Sequence, residues 1–243
     1  MQFKGIDVSH HNGEINWESV RNSGIEFAII RAGYGMENPN QTDKKFEHNY
    51  SECKRLGIPV GAYHYSYARS VEAAKKELDF FLKIVSGKQF EYPMFFDIED
   101  VSLNSLGKQT LTDIVVEFCS GLREAGYYAG LYSNPNWLCN MLDYERLKDY
   151  DLWLAQWGPK SDPRFEKSMW QYSSGGRING IAGDVDLDIS YKNYPEIIKA
   201  LGLNGFAVPT KKDCTVTAVK SGLSSAEAEV ISTKLRDLGM TSL

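Results

Sequence analysis

From residue 3 to residue 189 the chain alternates short apolar, β-branched or aromatic runs with longer amphipathic stretches, and few folds accept that order. Eight runs read as strands: Phe3 to Val8, Phe27 to Ala32, Val60 to Tyr65, Met94 to Ile98, Tyr128 to Tyr132, Leu152 to Gln156, Met169 to Tyr172 and Val185 to Ile189. Helix-like segments lie between the first five, at about 17–23, 43–56, 71–85 and 111–125, and a shorter one near 144–149 follows the fifth. Gly24, Gly57, Gly87 and Gly126 stop the first four, where the residue after a helix must turn left-handed. Strands joined by helices pair in parallel, and eight of them predict an α/β fold of the (β/α) barrel type.

The last third departs from this rule. Only residues 157–167 separate the sixth and seventh strands, and Pro159 and Pro163 leave no room for a crossover helix. The seventh and eighth are joined through Ile178-Asn179-Gly180-Ile181, an Asn-Gly turn that predicts an antiparallel hairpin. The expected architecture is therefore a modified TIM-like barrel. It has five βα units, then three strands with little helix, and its last strand is antiparallel, beginning at the face where the parallel strands end.

Beyond the barrel, expected over residues 1–204, residues 205–212 have linker composition around Pro209-Thr210-Lys211-Lys212. Residues 213–243 read as a small appendage of one strand and one helix, too short for a core of its own. It is expected to serve in binding or in self-association.

At the carboxyl ends of barrel strands, where function collects, the chain places mostly carboxylates and aromatics. Asp7 ends the first strand, Tyr63-His64-Tyr65 the third, Asp97-Ile98-Glu99 the fourth, Tyr132 the fifth, Gln156-Trp157 the sixth and Trp170-Gln171-Tyr172 the seventh, while Asp184-Val185-Asp186 opens the eighth. Strand period two puts Asp97 and Glu99 on one face, about 6 to 7 Å apart, and turns His64 away from Tyr63 and Tyr65. Paired carboxyls at that spacing suit glycoside hydrolysis, one donating a proton to the leaving oxygen and one remaining ionised. Converging like charges repel unless a proton or a substrate uses them.

Charge and cysteine content exclude other classes. With 27 Lys and Arg against 32 Asp and Glu the net charge is −5, so no basic surface for nucleic acid is expected. No apolar run approaches the ~20 residues that span a bilayer. Four cysteines, at 53, 119, 139 and 214, form no CxxC pair and are expected as free thiols. The four histidines supply no zinc spacing, and neither a metal nor another cofactor is expected. The start, Met1-Gln2-Phe3-Lys4-Gly5, lacks the pattern of a secretory leader.

Five segments, GIDVSHHNG, YHY, FFDIED, WLAQW and WQYSSGGRINGIAGDVDLD, together resemble glycoside hydrolase family 25, lysozymes that cleave peptidoglycan as N-acetylmuramidases. The resemblance spans about residues 3–200 and implies a phage endolysin type of enzyme whose partner is the peptidoglycan glycan strand. With no leader pattern at the start, the expected setting is synthesis in a bacterial host cytoplasm and action at the cell wall, with residues 213–243 expected as a wall-binding or self-association module. Carried over by position, it makes Glu99 the general acid and Asp97 its partner, with Asp7 and Asp186 as supporting acids. Tyr63, Tyr65, Tyr132, Gln156, Trp157 and Gln171 fall on cleft positions. The family often has Asn two residues after the last aspartate, where this chain has Asp188. Two outcomes are open there: an added charge that raises neighbouring pKa values, or a carboxylate facing solvent. A chitinase-type DxDxE strand would need an acid at position 95, which is Phe95. The non-enzymatic alternative is a peptidoglycan- or chitin-binding barrel, against which the retention of both Asp97 and Glu99 argues.

Overall fold

In the computed structural model, which describes residues 1–35 and 38–208, eight strands close into one barrel in chain order. They are β1 Phe3–Val8, β2 Phe27–Tyr34, β3 Val60–Tyr65, β4 Met94–Asp97, β5 Ala129–Ser133, β6 Asp151–Ala155, β7 Met169–Gly176 and β8 Val185–Ser190. Strands β1 to β7 are parallel neighbours, and β8 runs antiparallel to both β7 and β1, as the loop lengths predict. Four helices occupy the crossovers: α1 Trp17–Asn22, α2 Phe46–Leu56, α3 Val71–Val85 and α4 Lys108–Glu124. Asn16 and Ser70 cap α1 and α3 through side-chain oxygens that accept from Ser19 N and Ala73 N.

Alternation sorts each strand. On β4, Met94 and Phe96 join Ile98 in the outer layer against the helices, while Phe95 enters the barrel. The lower interior is aromatic, filled by Phe27, Tyr92, Phe95, Tyr128 and Trp153. Glycines make room for these rings, since a Cβ on Gly130 would stand 2.4 Å from the Phe95 ring and one on Gly5 would stand 2.2 Å from the Phe27 ring.

Two elements depart from expectation. The loop between β7 and β8 spans residues 177–184, and Asn179-Gly180 forms a turn inside it rather than a two-residue hairpin. That turn folds over the chain before α1: Asn16 N donates to Gly180 O at 2.8 Å, and Ile15 bridges Ile181. A further helix, α5 Tyr194–Leu201, follows β8 and closes the bottom of the barrel with Tyr194, Ile198 and Leu201. Asn204 completes this seal, donating from Nδ2 to Phe90 O and Tyr92 O and accepting from Tyr128 N. Gly205 O still accepts from Gln89 Nε2, so the first of the expected linker residues rests on the barrel. The expected module at 213–243 lies outside the described residues. Cys53, Cys119 and Cys139 are free thiols.

Candidate active site

Above the aromatic floor the barrel interior turns polar. Asp7 from β1, Arg31 from β2, Asp97 from β4, Gln171 from β7 and Asp188 from β8 are all buried, and Tyr132 from β5 closes in beside them. Buried polar groups are costly unless hydrogen-bonded, and most of these have partners, with Asp97 Oδ1 and Asp188 Oδ2 as exceptions among the described residues.

Gln171 connects three expected site residues. Its Nε2 donates to Asp7 Oδ2 at 2.8 Å, and its Oε1 accepts from Tyr132 OH at 3.2 Å and from Trp157 Nε1 at 2.9 Å. One amide therefore fixes a carboxylate on the floor, a phenol on the wall and an indole at the rim. Trp157 is otherwise 64% exposed, a flat apolar face presented to the solvent.

The carboxyls divide by environment. Glu99 follows β4 and is half-buried, with Asn134 Nδ2 3.5 Å from its Oε2. Burial raises its pKa, the Asn134 amide opposes that, and the charges of Asp186 and Asp100 add to the rise. Asp97 is deeper. Burial pushes its carboxyl well up, the Glu99 charge pushes further, and the Arg31 guanidinium pulls back. Its Oδ1 has no hydrogen-bond partner among the described residues. Asp186 is raised to about 6 by burial. Burial also raises Asp7 well above the ordinary carboxylate range, with help from the charges of Asp188 and Asp186.

Asp188 does not face solvent. Its side chain points into the barrel, it is 1% exposed, and its Oδ1 accepts from Trp153 Nε1 at 2.8 Å. Of the two outcomes left open by the sequence, the structure takes the first, a buried carboxyl beside Asp7 that raises its pKa.

The other expected residues are distributed unevenly. Tyr63 lies edge-on to Trp153 inside the barrel, where its pKa responds to burial and to the charge of Asp7. Tyr65 donates from its hydroxyl to Asp100 Oδ2 at 3.0 Å and packs against Tyr67, so it shapes the rim next to Glu99. Gln156 is not brought into the cleft. Its Oε1 accepts from Asp162 N at 2.6 Å and holds the loop after β6, because the residue continues the outward alternation of Leu152 and Leu154. His64 is fully buried against Phe118, with Nε2 3.0 Å from Gly35 O, a packing role as its alternation predicts.

Sequence reasoning missed Arg31, Asp100 and Asn134. Arg31 Nε donates to Asp43 Oδ2 at 3.0 Å, and Asp43 also accepts from His10 N and Lys45 N. This held cation is the one that opposes the upward shift of Asp97. A charged residue inside the apolar run FAIIRAGY was its signal.

A barrel mouth that gathers five carboxyls, with Asp97 and Glu99 two residues apart on one face of the chain, between tyrosines and an exposed tryptophan is the arrangement of a carbohydrate-cleaving site. Residues 6–181 match the profile of Glycosyl hydrolases family 25, and the chain belongs to that family. It is 30% identical over 188 residues to the autolytic lysozyme of Clostridium acetobutylicum, a match covering 76% of this chain and 55% of that one. To lysozyme M1 of Streptomyces globisporus it is 29% identical over 199 residues, covering 75% of this chain and 66% of that one. It thus spans between half and two thirds of these relatives. The structure is similar to that of a bacterial lysozyme from Streptomyces coelicolor, with a TM-score of 0.68 and 27% identity over 84% of this chain and 98% of that one.

Proposed function

We propose that the chain is a peptidoglycan hydrolase, cleaving the β-1,4 bond between N-acetylmuramic acid and N-acetylglucosamine and so acting at the bacterial cell wall. The observation that carries this reading is the contrast within one short segment: Glu99, half-buried with its pKa raised, beside Asp97, buried with an unpartnered oxygen and a fixed cation nearby.

Glu99 gives its proton to the glycosidic oxygen as the bond from that oxygen to the anomeric carbon breaks. Asp97 accepts a hydrogen bond from the substrate's 2-acetamido N–H, which supplies the partner its Oδ1 lacks and favours its ionised form. The acetamido oxygen bonds to the anomeric carbon. Water then displaces it and passes a proton back to Glu99, with net retention. Asp7 and Asp186 set the negative field that steadies positive charge at the ring. Trp157, Tyr63, Tyr65 and Tyr132 offer faces and hydroxyls to the sugars, and Gln171 holds Asp7, Tyr132 and Trp157 in register.

Digestion of purified peptidoglycan, followed by borohydride reduction and mass spectrometry of the new ends, tests the bond specificity. N-acetylmuramitol is expected. N-acetylglucosaminitol would assign the other glycosidic bond, and no new ends would leave a wall-binding barrel.

A further inference from the structure

Asp186 and Asp188 are successive inward positions of β8, and their register partners on β1 are Asp7 and Gly5. Asp7 and Asp188 are therefore diagonal neighbours across the antiparallel seam, both buried and each acting on the other's pKa. Each is fixed from its far side by a neutral N–H, Trp153 Nε1 to Asp188 Oδ1 at 2.8 Å and Gln171 Nε2 to Asp7 Oδ2 at 2.8 Å. That leaves Asp188 Oδ2 fully enclosed, with no N–H or O–H donor among the described residues, on the residue diagonal to Asp7.

Two ionised carboxylates so placed would set buried lone pairs against each other with nothing between them. A single proton turns that contact into an O–H···O⁻ hydrogen bond and removes one of two buried charges. We propose that Asp7 and Asp188 hold one proton between them at neutral pH, and that Asp188 is the positioning residue through which Asp7 stays fixed and singly charged as a pair. The proton belongs to the pair rather than to either residue.

The surroundings agree with this. Asp186 of β8 adds negative charge, while Tyr63 of β3, Tyr132 of β5 and Tyr172 of β7 are neutral hydroxyls whose pKa values are raised by burial and, further, by the site's carboxylates. The cation of the site, Arg31 of β2, is engaged with Asp43, and Asp97 of β4 feels both its charge and that of Glu99. Burial raises both members of the pair, Asp188 to about 8 against the pull of the Trp153 N–H.

The consequence for catalysis rests on the proposed role of Asp7; the shared proton does not. Infrared spectra at pH 7, where Asp186 is mostly ionised, test the proton directly. Asp188→Asn is expected to lose a protonated-acid carbonyl band with no loss of carboxylate absorption, and Asp7→Asn, which reads the same proton from the other side, should lose the same band. Loss of a carboxylate band with the acid band intact, in whichever variant folds, overturns the proposal. Activity on soluble peptidoglycan fragments separates positioning from packing. Asp188→Leu, which offers Asp7 no donor, should lower kcat/KM, and Asp188→Asn, whose amide can donate to Asp7 and accept from Trp153, should recover the greater part of the loss. Equal impairment in both variants would contradict the positioning role, whereas an enzyme inactive on peptidoglycan but carrying the acid band would fault the proposed function alone.

Discussion

Asp7 and Asp186 are direct register partners across the β1–β8 seam, one at the end of its strand and the other near the start of its own. Only a reversed eighth strand allows this. A parallel β8 would deliver its last residues to the mouth of the barrel, so reversal is what places the opening of VDLD beside the acids that end β1 and β4.

Asp186 is ionised above about 6, and its charge helps to raise the pKa of Glu99. Asp186→Asn removes that repulsion, so Glu99 should surrender its proton at lower pH. The alkaline limb of kcat/KM, measured on soluble peptidoglycan fragments, is expected to move to lower pH. A limb that stays in place would separate Asp186 from the proton donor.

The same carboxyls set the pH dependence of stability. Asp7, Asp97, Glu99, Asp186 and Asp188 all have pKa values raised in the folded chain. Over the range above their unfolded values of about 4, the folded state holds protons that the unfolded state has lost, and stability falls as pH rises. The decline should run from about pH 4 through the values of about 6 for Asp186 and about 8 for Asp188. Thermal unfolding of the enzyme without substrate should therefore show a higher Tm at pH 5 than at pH 8, and a Tm that climbs over this interval would contradict the assignment of raised values.

Gln171→Leu keeps approximate volume and deletes three hydrogen bonds at once. Leaving buried partners unpaired costs about 1–3 kcal/mol per group. Denaturant unfolding should register a loss of that order, and kcat/KM should fall through the misplacement of Asp7 and Trp157. Unchanged stability and rate would show that the amide is dispensable.

Gly130→Ala tests the floor without touching the mouth. Its Cβ would meet the Phe95 ring at 2.4 Å, and overpacking of this kind costs about 1–3 kcal/mol. A lowered denaturation midpoint at constant m-value is expected, and an unaltered midpoint would mean that the rings have room to move.

Much of this arrangement was legible in the chain because strands and helices carry their periods openly. Asp97 and Glu99 share a face by period two, and the short proline-bearing connection before Met169 announced the loss of a crossover helix. The same period puts Asp186 and Asp188 on one face, so the inward orientation of Asp188 was readable once Asp186 was placed inside. Helix α5 had a signal as well, in the spacing of Tyr194, Ile198 and Leu201 behind a first-turn proline. Other features depend on contacts that local pattern does not encode. The partner of Arg31 is Asp43, beyond an irregular loop, and Gln171 reaches Asp7 from 164 residues away. Gln156, put on the cleft by the resemblance, instead follows the outward alternation of Leu152 and Leu154 and holds the loop after β6.

The central claim is that Glu99 delivers the proton that breaks the glycosidic bond, and the turnover of Glu99→Gln on purified peptidoglycan measures it most directly. The amide keeps the shape of the side chain but has no acidic proton to give, so the rate should fall by about 10² to 10⁴ while binding to walls persists. Near-normal release of reducing ends by Glu99→Gln would contradict the account.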